Sequence, residues 1–549
     1  MGYKEKVTSL FYHTGNRIIS VAGSVIFFFL CWYSFRYTQY MPPFSLEFPV
    51  NVADSMLRNL LALGLLAAMT VGLAAAERKL EPKVQRGIST VLSLLMVSWI
   101  LFASLWWIGS AERVPGSDQL YVCNDASAFM QDIYLSLEPG YYCDKYPQQL
   151  GLIALLEVLF SIVGPYNFFA VEVVCAFMAP CIAFFGYRIV REVTVSLTAS
   201  VLYCVMMTCC LPLVFYTSWV YGEIPGVFFS FLAVMLAFRY ANRKHWLYLV
   251  GTVAAFSLAV LVRKNSIILA VAFGLAAFLY ALRKKDRKLL VTALCAVLVP
   301  CVAFWGIQEM YEIRSGVEKS SGIPSTAGIS LGLQEKDGRY GWDWGYEGEV
   351  YADCGNDKEK ADAVYRQDIS ERLKVFADQP AYAVHFFKEK QLSQWNAPLY
   401  QSYYFSQNYS PENPPAQDSL TNRLSTEYFG LLLFVCDRLQ FVLYVGMLLY
   451  FLLAVRKDSD MLQHVLAVMV IGGFFFSMIW EAKARYIMPY YMGMFPVAAL
   501  GYRQSVLWCR KVWDRYRDCR AEGMKTSEAD PAKETGDAQD NIIPFQKKR

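Results

Sequence analysis

Apolar stretches of membrane-crossing length recur along this chain and leave few architectures open. A helical crossing takes roughly 17–25 apolar residues. Runs of about that character lie near 18–35, 59–76, 88–108, 150–164, 167–187, 194–217, 224–238, 246–262, 266–282, 289–306, 431–455, 462–480 and 487–504, 13 in all. Only 18% of residues are charged and 56% are hydrophobic, whereas a soluble domain carries about 25% charge. In lipid the backbone must satisfy its own hydrogen bonds, so helices or a closed barrel remain. The short-period alternation of a barrel strand is absent. The expected fold is an all-α polytopic membrane protein.

The connections carry an orientation signal. Arg78, Lys79, Lys83 and Arg86 follow the second run; Arg188 and Arg191 follow 167–187; Arg239, Arg243 and Lys244 follow 224–238. Arg283, Lys284, Lys285, Arg287 and Lys288 follow 266–282, and Arg456 and Lys457 follow 431–455. Lys and Arg gather on the cytoplasmic side, so these edges face inward. With the N-terminus inside, 88–108 delivers the polar stretch 109–149 to the outside. Only one crossing can separate it from the inward edge at Arg188, yet two runs intervene. The shorter, 150–164, is bounded by Pro147 and by Gly164-Pro165 and is expected to lie along the outer leaflet. This leaves about 12 crossings and two extracytoplasmic loops.

The chain divides accordingly into a two-span extension (1–87), a core (88–306) with the first outer loop at 109–149, a large outer loop (307–430), C-terminal spans (431–504) and a cytoplasmic tail (505–549). Within the large loop, 360–377 and 380–395 read as helices, the second with Pro380 in its first turn. From about 521 the tail is polar and aperiodic and is expected to be disordered. The net charge of +4 gives no nucleic-acid footprint. Most cysteines sit in apolar runs, where a thiol is a small buried hydrophobe. Cys123 and Cys143 share the first outer loop, where a disulfide and two free thiols are both open readings.

Several charges fall at outer membrane edges, the cations among them against the basic-inside pattern. They are Arg263 and Lys264, Glu223 in SWVYGEIPG, and Glu481, Lys483 and Arg485. Ionisable groups at membrane level are costly and usually mark function, although one alone is more often a snorkelling residue. Their convergence with the first loop, which carries Asp118, Asp125, Asp132, Glu138 and Asp144, points to a site on the outer face.

That loop, SDQLYVCNDASAFMQ followed by GYYCDKYPQQLG, resembles the first outer loop of the GT-C superfamily of glycosyltransferases. The nearest branch holds the protein O-mannosyltransferases and bacterial aminoarabinose transferases (glycosyltransferase family 39-like). There an acidic residue followed by Tyr opens the loop and a short aromatic or His-Pro motif closes it. Asp118 and Tyr121 match the opening; Tyr146-Pro147-Gln148-Gln149 matches the closing, with Tyr in place of His. FYTSWVYGEIPG, LVRKNSII and WEAKARYIMPYY resemble later landmarks. The two N-terminal spans depart from the smallest family plan.

The resemblance implies a GT-C-type helix bundle in the plasma membrane, working on the extracytoplasmic face. The implied reaction moves a sugar from a polyprenyl-phosphate donor to an envelope polymer, lipid or protein, with inversion. Asp118 becomes the base, with Asp125 in reserve. Because Gln119 replaces a second adjacent carboxylate, no metal is expected. A departing polyprenyl phosphate needs cations, and Arg suits phosphate through its planar fork of donors. Lys145, Arg263 and Arg485 are the first candidates, then Lys264 and Lys483. Tyr121, Tyr146, Gln148, Glu223 and Glu481 are expected to orient substrate, and Trp342, Trp344 and Trp395 to stack on sugar rings. A transporter of a lipid-linked precursor is the competing class. It should show internal repeats and broken polar helices near mid-membrane, and no clear repeat is evident. An envelope assembly subunit is the third class.

Overall fold

The structure, a computed structural model, describes residues 3–43, 47–111, 116–406 and 418–528, with side chains from residue 9 to 518. Nine helices among them are long and apolar enough to cross a membrane: Ser9–Ser34, Met56–Lys79, Pro82–Ser110, Phe168–Val193, Glu223–Arg243, Lys264–Lys284, Arg287–Ser315, Phe429–Leu453 and Met461–Ile479. Two bent pairs raise the number to as many as 11. One joins Leu135–Lys145 to Pro147–Val163 at 99°, the other Leu197–Thr208 to Leu211–Ser218 at 54°. Strands among the described residues form two ribbons, Tyr37–Tyr40 with Val50–Ala53 and Glu335–Lys336 with Arg339–Tyr340. The chain is an integral membrane protein of the all-α class.

Each expected apolar run falls on helical structure. Leu150–Val163 has 14 residues, about 21 Å at 1.5 Å per residue, short of the ~30 Å hydrocarbon core. Leu247–Val262 has 16. The last run opens the long helix Met488–Glu528.

Burial separates the middle of the bundle from its rim. The most apolar stretch of Glu223–Arg243 is 67% buried, that of Met56–Lys79 only 22%. Leu57, Leu61 and Leu65 on the latter are exposed, as suits a helix whose solvent is lipid. Glu223–Arg243 packs between Phe168–Val193 and Leu247–Val262, and Lys264–Lys284 packs on Met461–Ile479.

Two boundaries differ from the sequence reading. The helix expected to end near 306 continues to Ser315, because IQEMYEIRS contains no breaker and Gly316, at φ 69°, makes the left-handed stop. The final helix runs to Glu528, past the expected onset of disorder at 521. The stretch AEGMKTSE is rich in helix formers and extends an existing helix without a new nucleus. The expected helices of the large loop are Lys358–Asp378 and Pro380–Trp395. Residues 1–504 make one compact unit and 505–549 another, whose described part is helical. Tail residues 529–549 lie outside the described residues. Cys123 and Cys143 are both buried free thiols.

Candidate active site

A cavity of about 370 Å³ opens where four connections meet: the first polar loop (118–149), the turn 263–266, the segment 323–347 and the turn 480–486. Its size falls within the roughly 300–1,000 Å³ of small-molecule sites. Five cations (Lys145, Arg263, Lys264, Lys483, Arg485) and four carboxylates (Asp118, Asp343, Glu347, Glu481) line it. Among the described residues no histidine lines it.

The two cationic turns are built alike. Leu247–Val262 ends at Arg263 in extended backbone (φ −152°, ψ 100°), and a 3₁₀ turn, Lys264–Ser266, follows. Val465–Ile479 gives way to Lys483, also extended (φ −149°, ψ 128°), before the 3₁₀ turn Ala484–Ile487. Each short turn between apolar helices holds its cations at the rim, where long Lys or Arg stems would otherwise snorkel away. Glycine lets one of them in. A Cβ on Gly226 would lie 2.8 Å from Arg263 Cβ, so the arginine stem packs directly on the backbone of Glu223–Arg243.

The opening acid lies opposite. Ser117 holds φ 53°, an uncommon conformation for a residue with a side chain, and turns the chain into the helix Asp118–Phe129. Asp118 Oδ2 accepts from Arg485 Nη2 at 3.1 Å. Gln119 is turned away, accepting from the Val220 N–H at 3.1 Å, so it stitches the loop to the 219–222 turn. Arg263 Nη2 pairs with Glu223 at 2.7 Å. Both guanidinium groups lie over the rings of Tyr221 and Tyr486, at 5.1 and 5.5 Å for Arg263 and 5.8 and 5.4 Å for Arg485. The two forks are thus held side by side by shared aromatic faces. Arg485 Nε is buried with no hydrogen-bond partner, an unmet donor on a side chain that lines the cavity.

A second charge cluster surrounds Lys483. Lys483 Nζ lies 3.6 Å from Glu481, 3.8 Å from Glu47 and 4.0 Å from Asp343. Burial alone would lower the Lys483 pKa, but Glu47 and Glu481 outweigh it and hold the ammonium above its ordinary range. Burial raises Glu347 well above the usual carboxylate range, and the charges of Glu481 and Asp343 add to it. Glu481 is raised by burial and by Asp343, with Lys483 opposing.

Of the residues expected from sequence, Asp118, Lys145, Tyr146, Gln148, Arg263, Lys264, Glu481, Lys483 and Arg485 line the cavity. Glu223 lies beneath it, buried, holding Arg263 and accepting from Trp219 Nε1 at 3.0 Å. Tyr121 stacks on the outer side of Tyr142 (4.9 Å, 15°), and Tyr142 is the ring that lines the cavity. Asp125 does not line it: its carboxylate accepts from Ser136 Oγ at 2.7 Å and Cys143 Sγ at 3.3 Å, which hold the first loop together.

The tryptophans expected to stack on sugar rings lie outside the cavity lining. Trp342 is 1% exposed and donates to Ser393 Oγ at 2.9 Å. Trp395 is fully buried and donates to Ser477 Oγ. Trp344 packs on Tyr346 and under Lys336. Trp342 and Trp395 are spent on protein packing and Trp344 is half-buried, and none of the three is among the lining residues. In the same stretch the lining residues are the acids, Asp343 and Glu347.

The sequence reading also missed Tyr221, Tyr486, Asn265 and Glu47. The first three adjoin the flagged charges, and adjacency was the available signal. Glu47 comes from the connection of the N-terminal hairpin. Its carboxylate reaches Lys483 and accepts from Gln401 Nε2 at 2.6 Å, while Gln401 Oε1 accepts the Arg485 backbone N–H at 2.7 Å. Among the described residues no three His, Cys, Asp or Glu side chains are gathered to hold a metal ion.

No family model and no curated protein matches this sequence. Among solved structures, the archaeal oligosaccharyltransferase AglB from Archaeoglobus fulgidus, in complex with an inhibitory peptide and a dolichol-phosphate, is similar at a TM-score of 0.36 and 13% identity. The likeness covers 81% of this chain and 52% of that one, so the chain spans about half the length of that neighbour.

Proposed function

We propose that the chain is a GT-C-type membrane glycosyltransferase that moves a sugar from a polyprenyl-phosphate donor to an extracytoplasmic acceptor in the cell envelope. The observation that carries this reading is the pairing of Asp118 with Arg485 in a cavity that Arg263 also lines. A site for phosphate needs convergent, geometrically fixed donors, and Arg485 Nε is a donor without a partner. The lipid tail needs an apolar exit, and Ile267, Ile268, Phe476 and Trp480 line the same cavity between Lys264–Lys284 and Met461–Ile479.

The chemistry follows from the charges. Asp118 accepts the proton of an acceptor hydroxyl as its oxygen attacks the anomeric carbon. The bond from that carbon to the phosphate oxygen breaks on the opposite face, so configuration inverts and polyprenyl phosphate departs with the electron pair. Arg263 and Arg485, with Lys145, Lys264 and Lys483 around them, stabilise the charge on the leaving oxygens. Tyr146, Gln148 and Glu481 are placed to hold sugar hydroxyls. This reading locates the protein in the plasma membrane with its site outward.

Purified protein given a panel of defined lipid-linked sugars tests it. Release of polyprenyl phosphate coupled to a glycosylated product is expected, and Asp118→Asn should lower it about 10²- to 10⁴-fold while donor still binds. A transporter of the same lipid would keep its rate in that variant, and this outcome would remove the assignment.

A further inference from the structure

One lysine outside the cavity has no surface to reach. Lys390, in Pro380–Trp395, is 0% exposed. Its ammonium donates to three main-chain carbonyls: Gly332, Met478 at 3.0 Å and Trp480 at 2.7 Å. Gly332 lies at the end of Ser325–Leu333, Met478 in the last turn of Val465–Ile479, and Trp480 just beyond it. Carbonyls at a helix end have no partner within the helix, and orphaning one in the interior costs free energy. A lysine ammonium has three donors, so the match is complete.

The surroundings hold the lysine in that place. A Cβ on Gly341 would come within 2.9 Å of Lys390 Cε, and Gly341 O accepts the Ala482 N–H at 2.7 Å. One turn along the helix, Ser393 Oγ receives Trp342. Asp343, Glu481 and Lys483 therefore follow within a few residues of backbone fixed by Lys390 or by its neighbours.

We propose that Lys390 is a positioning residue that clamps the turn 480–485 to the outer segment and sets the placement of Glu481, Lys483 and Arg485. The proposal rests on the glycosyltransferase reading for its catalytic consequence, not for its structural one. Burial pushes the Lys390 pKa down to about 7, with Glu481 pulling upward. Neither Ser325–Leu333 nor Val465–Ile479 carries a titratable residue. The ribbon brings Arg339 and Tyr340, and the lysine's own helix brings His385 and the Lys388–Glu389 pair. The clamp is thus complete when the ammonium is present. The neutral amine keeps two donors for three carbonyls, and the turn loosens as pH rises.

Hydrogen exchange of the full-length protein reads this directly at the Ala482 and Arg485 amides, which donate to Gly341 O and Gln401 Oε1. Corrected for intrinsic rates, their protection in the wild type should fall from pH 6 to 9. Lys390→Arg, charged throughout, should stay flat. Lys390→Met should be unprotected at every pH, and its donor KM should rise about tenfold with a smaller change in kcat. Protection in the wild type that does not change over this range overturns the proposal, as does a folded Met variant with wild-type protection. Exchange needs no turnover, so failure of every sugar donor would count against the glycosyltransferase reading while leaving the clamp to be judged by protection alone.

Discussion

Removing the cation of the Arg263–Glu223 pair separates its structural role from its binding role. Glu223 is buried, its side chain 1% exposed, and Arg263 is 11% exposed. Arg263→Met would leave a carboxylate with the Trp219 N–H but without its cation. Stranding one member of such a pair typically costs about 3–5 kcal/mol, enough to lower the thermal midpoint in detergent by many degrees. Glu223→Gln in the same chain removes the stranded charge and should recover most of that loss. Donor binding should not recover. A charge-assisted hydrogen bond is worth about 1.5–3 kcal/mol, and each 1.4 kcal/mol is tenfold, so the double variant should bind polyprenyl-phosphate sugar roughly 10- to 150-fold more weakly. Thermal unfolding and a donor-binding titration on both variants measure the two effects apart. A double variant with wild-type stability and wild-type donor affinity would show that Arg263 serves only to neutralise Glu223.

Three further outcomes are expected. Asp118→Asn should lower turnover about 10²- to 10⁴-fold, the range of a lost general base, with donor affinity retained; a turnover within a few-fold of wild type refutes the role. Gly226→Ala should weaken donor binding without changing any charge, because the added methyl presses on Arg263 Cβ; equal affinity would mean that the stem yields freely. Glu347→Gln bears on pH. Burial, Glu481 and Asp343 raise this carboxyl, so the folded protein keeps a proton that the unfolded chain releases near its ordinary value of about 4.3. Stability therefore falls as pH rises from there toward the raised value. The variant should melt higher than wild type at about pH 7.5, with the difference shrinking toward about pH 4; a constant difference would refute the shift.

The membrane fold was legible because its signal is local. A crossing helix must carry enough apolar residues in one run, so all 13 runs could be read without knowing any contact. The two helices of the large loop were readable for a similar reason, since Pro380 can begin a helix but not continue one. The ends at Ser315 and Glu528 were not. They depend on how far a helix already nucleated continues into polar sequence, and apolarity is silent on that.

The site was legible where breaking a rule exposed it. Arg263, Lys264, Lys483 and Arg485 break the expected basic-inside pattern, so four of the five cations of the cavity could be found as charges at the end of a span. What the pattern could not supply was pairing. Asp118 meets Arg485 across 367 positions of sequence, and nothing in either neighbourhood encodes the other. The tryptophans show the converse. An aromatic in a Gly-rich loop looks like a ligand platform, yet Trp342 is consumed by packing while Asp343 beside it lines the cavity. Glu47 shows the deeper limit. The N-terminal spans read as an appendage because their sequence holds no site motif. Yet their hairpin supplies the carboxylate that, through Lys483 and Gln401, braces the turn bearing Arg485. A residue that acts by holding another residue's backbone carries no chemical signature of its own, and the same holds for Lys390.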